Sequence, residues 1–187
     1  MRSIPHENLR VIPLTEESSL FAFHSNSIEL NDFLINDSLN SQNLLISRTY
    51  LCYYGEALVG FLTLVTDTIE VKLVEVLDGV DGYQYSKYPC IKIARIAVDR
   101  DYAGKGIGRF LLLWAVGTVY RVSRVVGCRY ITVDAKRESV QFYEKNGFKL
   151  IKRYAERNFP PMYLNMYPII LNIYNKNPIN RKSQPDN

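Results

Sequence analysis

Ile93-Ala94-Arg95-Ile96-Ala97-Val98-Asp99-Arg100-Asp101-Tyr102-Ala103-Gly104-Lys105-Gly106-Ile107-Gly108-Arg109-Phe110-Leu111-Leu112 is the stretch on which the reading of the whole chain turns. It begins as a mostly apolar run, the pattern of a strand covered on both faces. Three alternate glycines follow, and an apolar helix starts at once. Glycine lets a backbone approach a ligand closely and take positive φ. A helix start offers unpaired N–H groups and about half a positive charge. Lys105 and Arg109 add full charges. Together these features predict a phosphate cradle. The plain alternative is a tight turn with glycine as helix starter.

Two familiar phosphate loops do not fit. A P-loop needs Ser or Thr after Gly104-Lys105 and a glycine at position 99, where the chain has Gly106 and Asp99. A dinucleotide fingerprint needs a third glycine three residues after the second. That place holds Arg109 counting from Gly104, and Leu111 counting from Gly106.

Outward from the loop, elements alternate. Residues 9–14 read as a strand. Asn26 and Glu29 resemble a capping box for a helix reaching to about Leu45. Residues 48–54 and 59–66 form a hairpin around Gly55-Glu56. Residues 67–90 are irregular and Tyr-rich, ending at Pro89, and 91–98 is a strand. The helix after the glycines runs to about Val126. A strand over 130–133, a helix over 138–145 capped by Asn146-Gly147, and strands over 148–154 and 162–167 complete the order. The pattern predicts an α/β fold, a mixed sheet with helices on both faces.

The chain has 187 residues, 47% hydrophobic and 22% charged, enough to bury a core. A single domain over 1–174 is expected, with a polar, frayed tail over 175–187. No apolar run reaches membrane-spanning length, and the start lacks a secretory h-region. Cys52, Cys90 and Cys128 fit neither a disulfide framework nor a zinc site, so no metal is expected and a cytoplasmic location is. The net charge of +4 hides a split. Residues 1–91 carry 5 Lys/Arg against 12 Asp/Glu, and residues 92–187 carry 18 against 7. The basic half suits an anionic partner, and two solvated faces of one domain would give the same count.

Residues 93–112 resemble motif A of the GNAT (GCN5-related) N-acetyltransferases, with the signature Gln/Arg-x-x-Gly-x-Gly/Ala aligned on Gly106 and Gly108. Ala103 departs from the preferred Gln or Arg. Val140-Gln141-Phe142-Tyr143-Glu144-Lys145-Asn146-Gly147-Phe148 resembles the family's second signature. The resemblance implies a mostly antiparallel sheet with one splayed parallel strand pair, here 91–98 and 130–133, and acetyl-CoA lying in that V. It implies that backbone groups of Ile96, Ala97 and Val98 pair with the pantetheine arm. It places the pyrophosphate on residues 103–109, from Ala103 through Gly104, Lys105, Gly106, Ile107 and Gly108 to Arg109. Ser139 and Phe142 line the CoA channel in the same reading, and Tyr143 donates a proton to the departing thiolate. No general base stands out among His6, His24, Glu70, Asp99 and Asp134.

Ser27-Ile28-Glu29-Leu30-Asn31-Asp32-Phe33-Leu34 and Ser47-Arg48-Thr49-Tyr50 look like the start of GNAT toxins from toxin–antitoxin pairs. That branch acetylates the α-amino group of aminoacyl-tRNA, so the resemblance implies tRNA and an antitoxin as partners, with a homodimer open. Candidate tRNA contacts are Lys92, Arg95, Arg121, Arg124, Arg129, Lys136 and Arg137. Two alternatives remain at this point: acetylation of a small-molecule or protein amine near 83–88, and a catalytically silent acyl-CoA-binding or interaction module.

Overall fold

A computed structural model of the chain describes residues 3–176, so the polar tail beyond Lys176 lies outside the described residues. Among the described residues seven strands follow the order β1-β2-β3-β4-β5-β7-β6, antiparallel except for the β4–β5 pair. The residues cluster into two compact units. One comprises Met1–Asp67 and Ile91–Gly117, the other Thr68–Cys90 and Thr118–Asn187.

In the first unit, β1 (Leu9–Pro13) pairs with β2 (Arg48–Tyr54), and β2 with β3 (Ala57–Glu70). A bulge between Cys52 and Tyr53 shifts the β2–β3 register. The expected helix over 28–45 is three pieces: α1 (Ile28–Asp32), a π-helical turn (Phe33–Asp37) and α2 (Ser38–Asn43). Its cap is Ser27, whose hydroxyl accepts from the Leu30 N–H at 3.4 Å. The chain is still extended at Ser27, so the helix begins one residue later than the Asn26–Glu29 box requires. Leu14, Phe23, Leu34, Leu51, Leu58, Phe61 and Ala97 form the core beneath these helices. Gln42 ties α2 down, donating to the Leu14 carbonyl at 2.9 Å.

β4 runs from Lys87 to Val98, four residues earlier than expected. Pro89 lies inside it, and the carbonyl that proline keeps accepts from the Arg129 N–H at 2.9 Å. Gly60 is bare because β3 meets β4 and α3 (Ile107–Ser123) there. A Cβ would sit 3.0 Å from both the Ala97 carbonyl oxygen and Leu111 Cδ1.

In the second unit, β5 (Tyr130–Asp134) pairs with β7 (Pro161–Asn165), and β7 with β6 (Lys149–Leu150). The strand expected over 148–154 is only these two residues, because Lys152–Tyr154 turns in a 3-10 helix. α4 (Val140–Lys145) precedes it. The last expected strand, 162–167, stops at Asn165. The Asn165 side chain accepts from the Tyr167 N–H at 3.0 Å and starts α5 (Met166–Lys176), with Pro168 in the first turn, where proline is tolerated.

A polar hub anchors the 71–86 segment. The Asp78 carboxylate accepts from Tyr163 (2.9 Å), Lys149 (2.8 Å) and Asn165 (3.2 Å), and its carbonyl accepts from Tyr130 (2.6 Å) and Arg129 (3.3 Å). Burial opposes the Asp78 charge, and the bonds from Lys149, Asn165 and Tyr163 outweigh it, holding the carboxyl below its usual range.

Candidate active site

The glycine stretch forms the turn that its sequence predicts. Val98 ends β4, Arg100–Tyr102 makes a 3-10 turn, and Ile107 opens α3. Gly104 has φ +73° and Gly106 φ +88°, conformations that L side chains rarely adopt. Gly106 stands immediately before α3 and has no side chain with which to cap it. The first N–H groups of this 17-residue helix therefore have no side-chain acceptor from the residue before them.

Asp99 organises the entrance to the turn. It is buried, and its two carboxylate oxygens accept from the His24 N–H (2.8 Å) and the Asp101 N–H (2.9 Å). Both oxygens are thus engaged with backbone N–H groups. Ala103 is exposed after the turn, and its N–H donates to the Arg100 carbonyl at 3.3 Å. Lys105 bends back. Its ammonium donates to the Asp101 carbonyl at 2.9 Å and lies 4.6 Å from the centre of the Tyr102 ring. Arg109 is exposed and makes no ion pair among the described residues, so it is the open cation of the loop.

One support was invisible in the sequence. The Ile4 N–H donates to the Lys105 carbonyl at 3.0 Å, and the Ser3 hydroxyl donates to the same oxygen at 3.2 Å. Ile4 is buried, and a Cβ on Gly106 would come within 2.7 Å of the Ser3 hydroxyl. The segment from Ser3 is a strap across the outside of the loop. No local pattern in Ser3-Ile4-Pro5 signals a partner some hundred residues away.

On β4, Ile96 and Val98 are half-buried and Ala97 is buried. The Ala97 carbonyl points toward β3 at Gly60, and the Asp99 N–H donates to the Val59 carbonyl. By the alternation of strand backbones, Ile96 and Val98 turn their polar groups the other way. Of the three residues expected to meet a pantetheine arm, these two have backbone directed away from β3.

In the second unit, Tyr143 is 5% exposed, with its ring between Phe142 (5.2 Å) and Phe148 (5.4 Å). Gly147 makes this placement. At φ +88° it closes α4, and the Phe148 N–H returns to the Tyr143 carbonyl at 3.1 Å. The Tyr143 hydroxyl has no hydrogen-bond partner among the described residues, and burial pushes its pKa up to about 12, so it is protonated at neutral pH. Ser139 and Phe142 are both half-buried. The Ser139 N–H donates to the Lys136 carbonyl, and the Phe142 carbonyl accepts from Asn146 at 2.7 Å.

Of the other candidate bases, Glu70 and Asp134 have partners. Glu70 pairs with Lys72 at 2.6 Å, and that hydrogen bond holds it below the usual carboxylate range. The His6 ring packs on Phe110 at 5.2 Å, and Asp134 has a partner of its own. A cavity of about 370 Å³ lies behind the 3-10 turn, lined by His24, Tyr53, Glu56, Asp99 and Tyr102 among others. It includes neither Tyr143 nor the glycines, and the chemistry assigned to the loop does not pass through it. Among the basic residues, Arg137 is spent on Glu156 and Arg129 on the hub, whereas the exposed Arg124 side chain has no partner among the described residues. No helix among the described residues is long and apolar enough to cross a membrane, and no group of three or more metal-ligating side chains assembles among them.

A glycine turn between strand and helix, and a buried, protonated tyrosine on a Gly-capped helix, are features expected of an acyl-CoA-dependent transferase. Residues 46–150 match the acetyltransferase (GNAT) domain family, and the chain belongs to that family: it is a GNAT N-acetyltransferase. It is 26% identical over 138 residues to the tRNA-acetylating toxin of Mycobacterium tuberculosis (strain ATCC 25618 / H37Rv), an alignment covering 73% of this chain and 82% of the toxin. Its fold is similar to that of AtaT complexed with acetyl-methionyl-tRNAfMet (TM-score 0.79, 23% identity, 88% of this chain and 99% of that one). It is also similar to a Tyr-to-Phe mutant of the AtaT toxin bound to the C-terminus of the antitoxin AtaR and acetyl-CoA (TM-score 0.72, 22% identity, 89% and 98%).

Proposed function

We propose that the chain transfers the acetyl group of acetyl-CoA directly to the α-amino group of an aminoacyl-tRNA. The observation that carries this reading is the alignment with a tRNA-acetylating toxin over 73% of the chain. The family match over 46–150 takes in residues of both units, so both serve one catalytic domain in this reading. Acetyl-CoA supplies the activated acyl group. Backbone of Gly104, Gly106, Ile107 and Gly108, with Arg109, holds its pyrophosphate at the α3 start. Ala103 contributes backbone only. Lys105 steadies the turn through Asp101 and Tyr102. Ile96 and Val98 pair with the pantetheine arm, Ala97 keeps the strand seated on the core, and Ser139 and Phe142 line the channel.

Tyr143 is the proton donor. As the amine nitrogen bonds to the acetyl carbon, the carbon–sulfur bond breaks and the sulfur takes the tyrosine proton. The amine's surplus proton passes to water, and Tyr143 is reprotonated from solvent. An α-amino ester is less basic than a lysine, so it needs no dedicated base. This fits a site in which Asp99 and Glu70 are already engaged. The basic half of the chain matches an RNA phosphate backbone. A cytoplasmic location and a paired antitoxin complete the reading. Co-expression with the product of a neighbouring ribbon–helix–helix gene relieves growth arrest if that pairing holds. The deciding experiment incubates labelled acetyl-CoA with bulk charged tRNA. Labelled acetyl-aminoacyl-tRNA is expected, and absence of label overturns the reading.

A further inference from the structure

Arg95 is a half-buried cation without an anion. It lies on β4 directly before Ile96 and on the same face as Ala97, beneath the helices that cover the first core. Its guanidinium carbon stands 4.8 Å from the centre of the Phe33 ring. Its Nε is buried with no acceptor. Of the five N–H donors of a guanidinium, one Nη1 donor reaches the carbonyl of its own neighbour, Ala94, at 3.0 Å. No carboxylate pairs with it among the described residues. Stacking on a ring satisfies the face of a guanidinium and leaves its in-plane donors free. A charge drawn partly out of water is unfavourable unless it is paired, so this arrangement calls for an anion from outside the chain.

The surroundings say which anion. Phe33 opens the π-helical turn, the local irregularity most often kept at functional sites. The in-plane fork of a guanidinium matches phosphate bidentately. The phosphates of CoA are assigned to the glycine loop, which is separated from Arg95 by roughly 10 Å of strand and the 3-10 turn beyond it. Arg95 instead borders Ile96, where the acyl-bearing arm is placed, and so stands beside the reacting end of the acceptor. We infer that Arg95 reads a phosphodiester near the 3′ end of the RNA that carries the amine. This inference rests on the aminoacyl-tRNA reading above and names the part of that substrate which the acceptor side recognises.

The test is equilibrium binding to the full chain saturated with CoA, which permits no turnover. The ligands are a CCA trinucleotide bearing a non-hydrolysable 3′-aminoacylamide, and the matching 3′-aminoacylamido-adenosine, which has no phosphate. Arg95→Gln is expected to weaken the trinucleotide by roughly tenfold or more, leaving the nucleoside, the affinity for CoA and the thermal midpoint unchanged. Arg95→Lys should restore part of the loss, since a point charge without a fork still attracts phosphate. An equal loss for both ligands, no loss for the trinucleotide, or a wild type that binds the nucleoside as tightly or binds neither, each overturns the inference. The labelled-tRNA assay decides the broader reading separately. Arg95-dependent trinucleotide binding without acetyl transfer to charged tRNA would leave the anion site standing and reject the substrate.

Discussion

Two regions of this molecule use the same kinds of polar group to opposite ends. Around Asp78, carboxylate, ammonium, phenol, amide and guanidinium groups converge until the carboxylate and the carbonyl each carry three donors. Around the glycine loop, donors are held in place and left open: Gly106 offers α3 no capping side chain, and Arg109 has no ion-pair partner among the described residues. A saturated network stabilises the fold, and an unsaturated one waits for a ligand. The two half-buried arginines repeat the contrast. The Nε of each is buried without an acceptor, but Arg129 lies 4.4 Å from the Tyr167 ring and its Nη2 donates to the Asp78 and Gly79 carbonyls, whereas the one bond of Arg95, lying over Phe33, goes to its own neighbour Ala94.

If this contrast is right, substitutions in the first region change stability and those in the second change ligand affinity. The largest effect is expected from Asp78→Ala. It strips several donors of a buried charged acceptor and should lower unfolding free energy by about 3 kcal/mol, read from the urea midpoint. Gly106→Ala comes next. It forces a side chain into φ +88° and against the Ser3 hydroxyl, so acetyl-CoA affinity should fall by a factor on the order of ten to thirty in calorimetry. Tyr143→Phe should keep acetyl-CoA affinity and lower turnover by roughly tenfold or more; unchanged turnover would remove Tyr143 from the chemistry.

Acid titration sharpens the comparison further. Because the folded pKa of Asp78 is depressed, its contribution is fully present above the ordinary aspartate value of about 3.9 and is lost as pH falls through the folded value. The stability difference between wild type and Asp78→Asn should therefore shrink below about pH 4, measured by thermal midpoints at stepped pH. Ser3→Ala should have the smallest effect. Losing one exposed hydrogen bond to Lys105 should weaken acetyl-CoA only about two- to fivefold, with the Ile4 bond still in place.

The open region was the more legible of the two in the sequence. Glycine spacing, the strand before it and the helix after it are local patterns, and local patterns decide turns and helix starts. The end of the helix that carries Tyr143 was legible for the same reason, since Gly147 lies four residues on. The saturated region was not. Asp78 sits in an ordinary Val-Leu-Asp-Gly-Val run, and its partners Lys149, Tyr163 and Asn165 come from strand segments more than seventy residues later. The one clue was a carboxylate among apolar neighbours. Helix α5 escaped because Asn165 was read as strand, although Asn followed three residues on by Pro is a helix-start pattern. The Ser3–Ile4 strap carried no local signal at all.

The π-helical turn at Phe33–Asp37 has a consequence for how this sequence can drift. Such a turn is one residue more than an α-helix needs. Deleting a single residue there would let the three helical pieces merge into one regular helix, with stronger backbone bonding. The same deletion would rotate everything before it by about 100° relative to everything after. Phe33 would leave the Phe61 ring, which it now stacks at 6.4 Å, and would leave Arg95 uncovered. Relatives one residue shorter in this segment should therefore have lost the arginine at the position of Arg95, or the aromatic at that of Phe33, together with the extra residue.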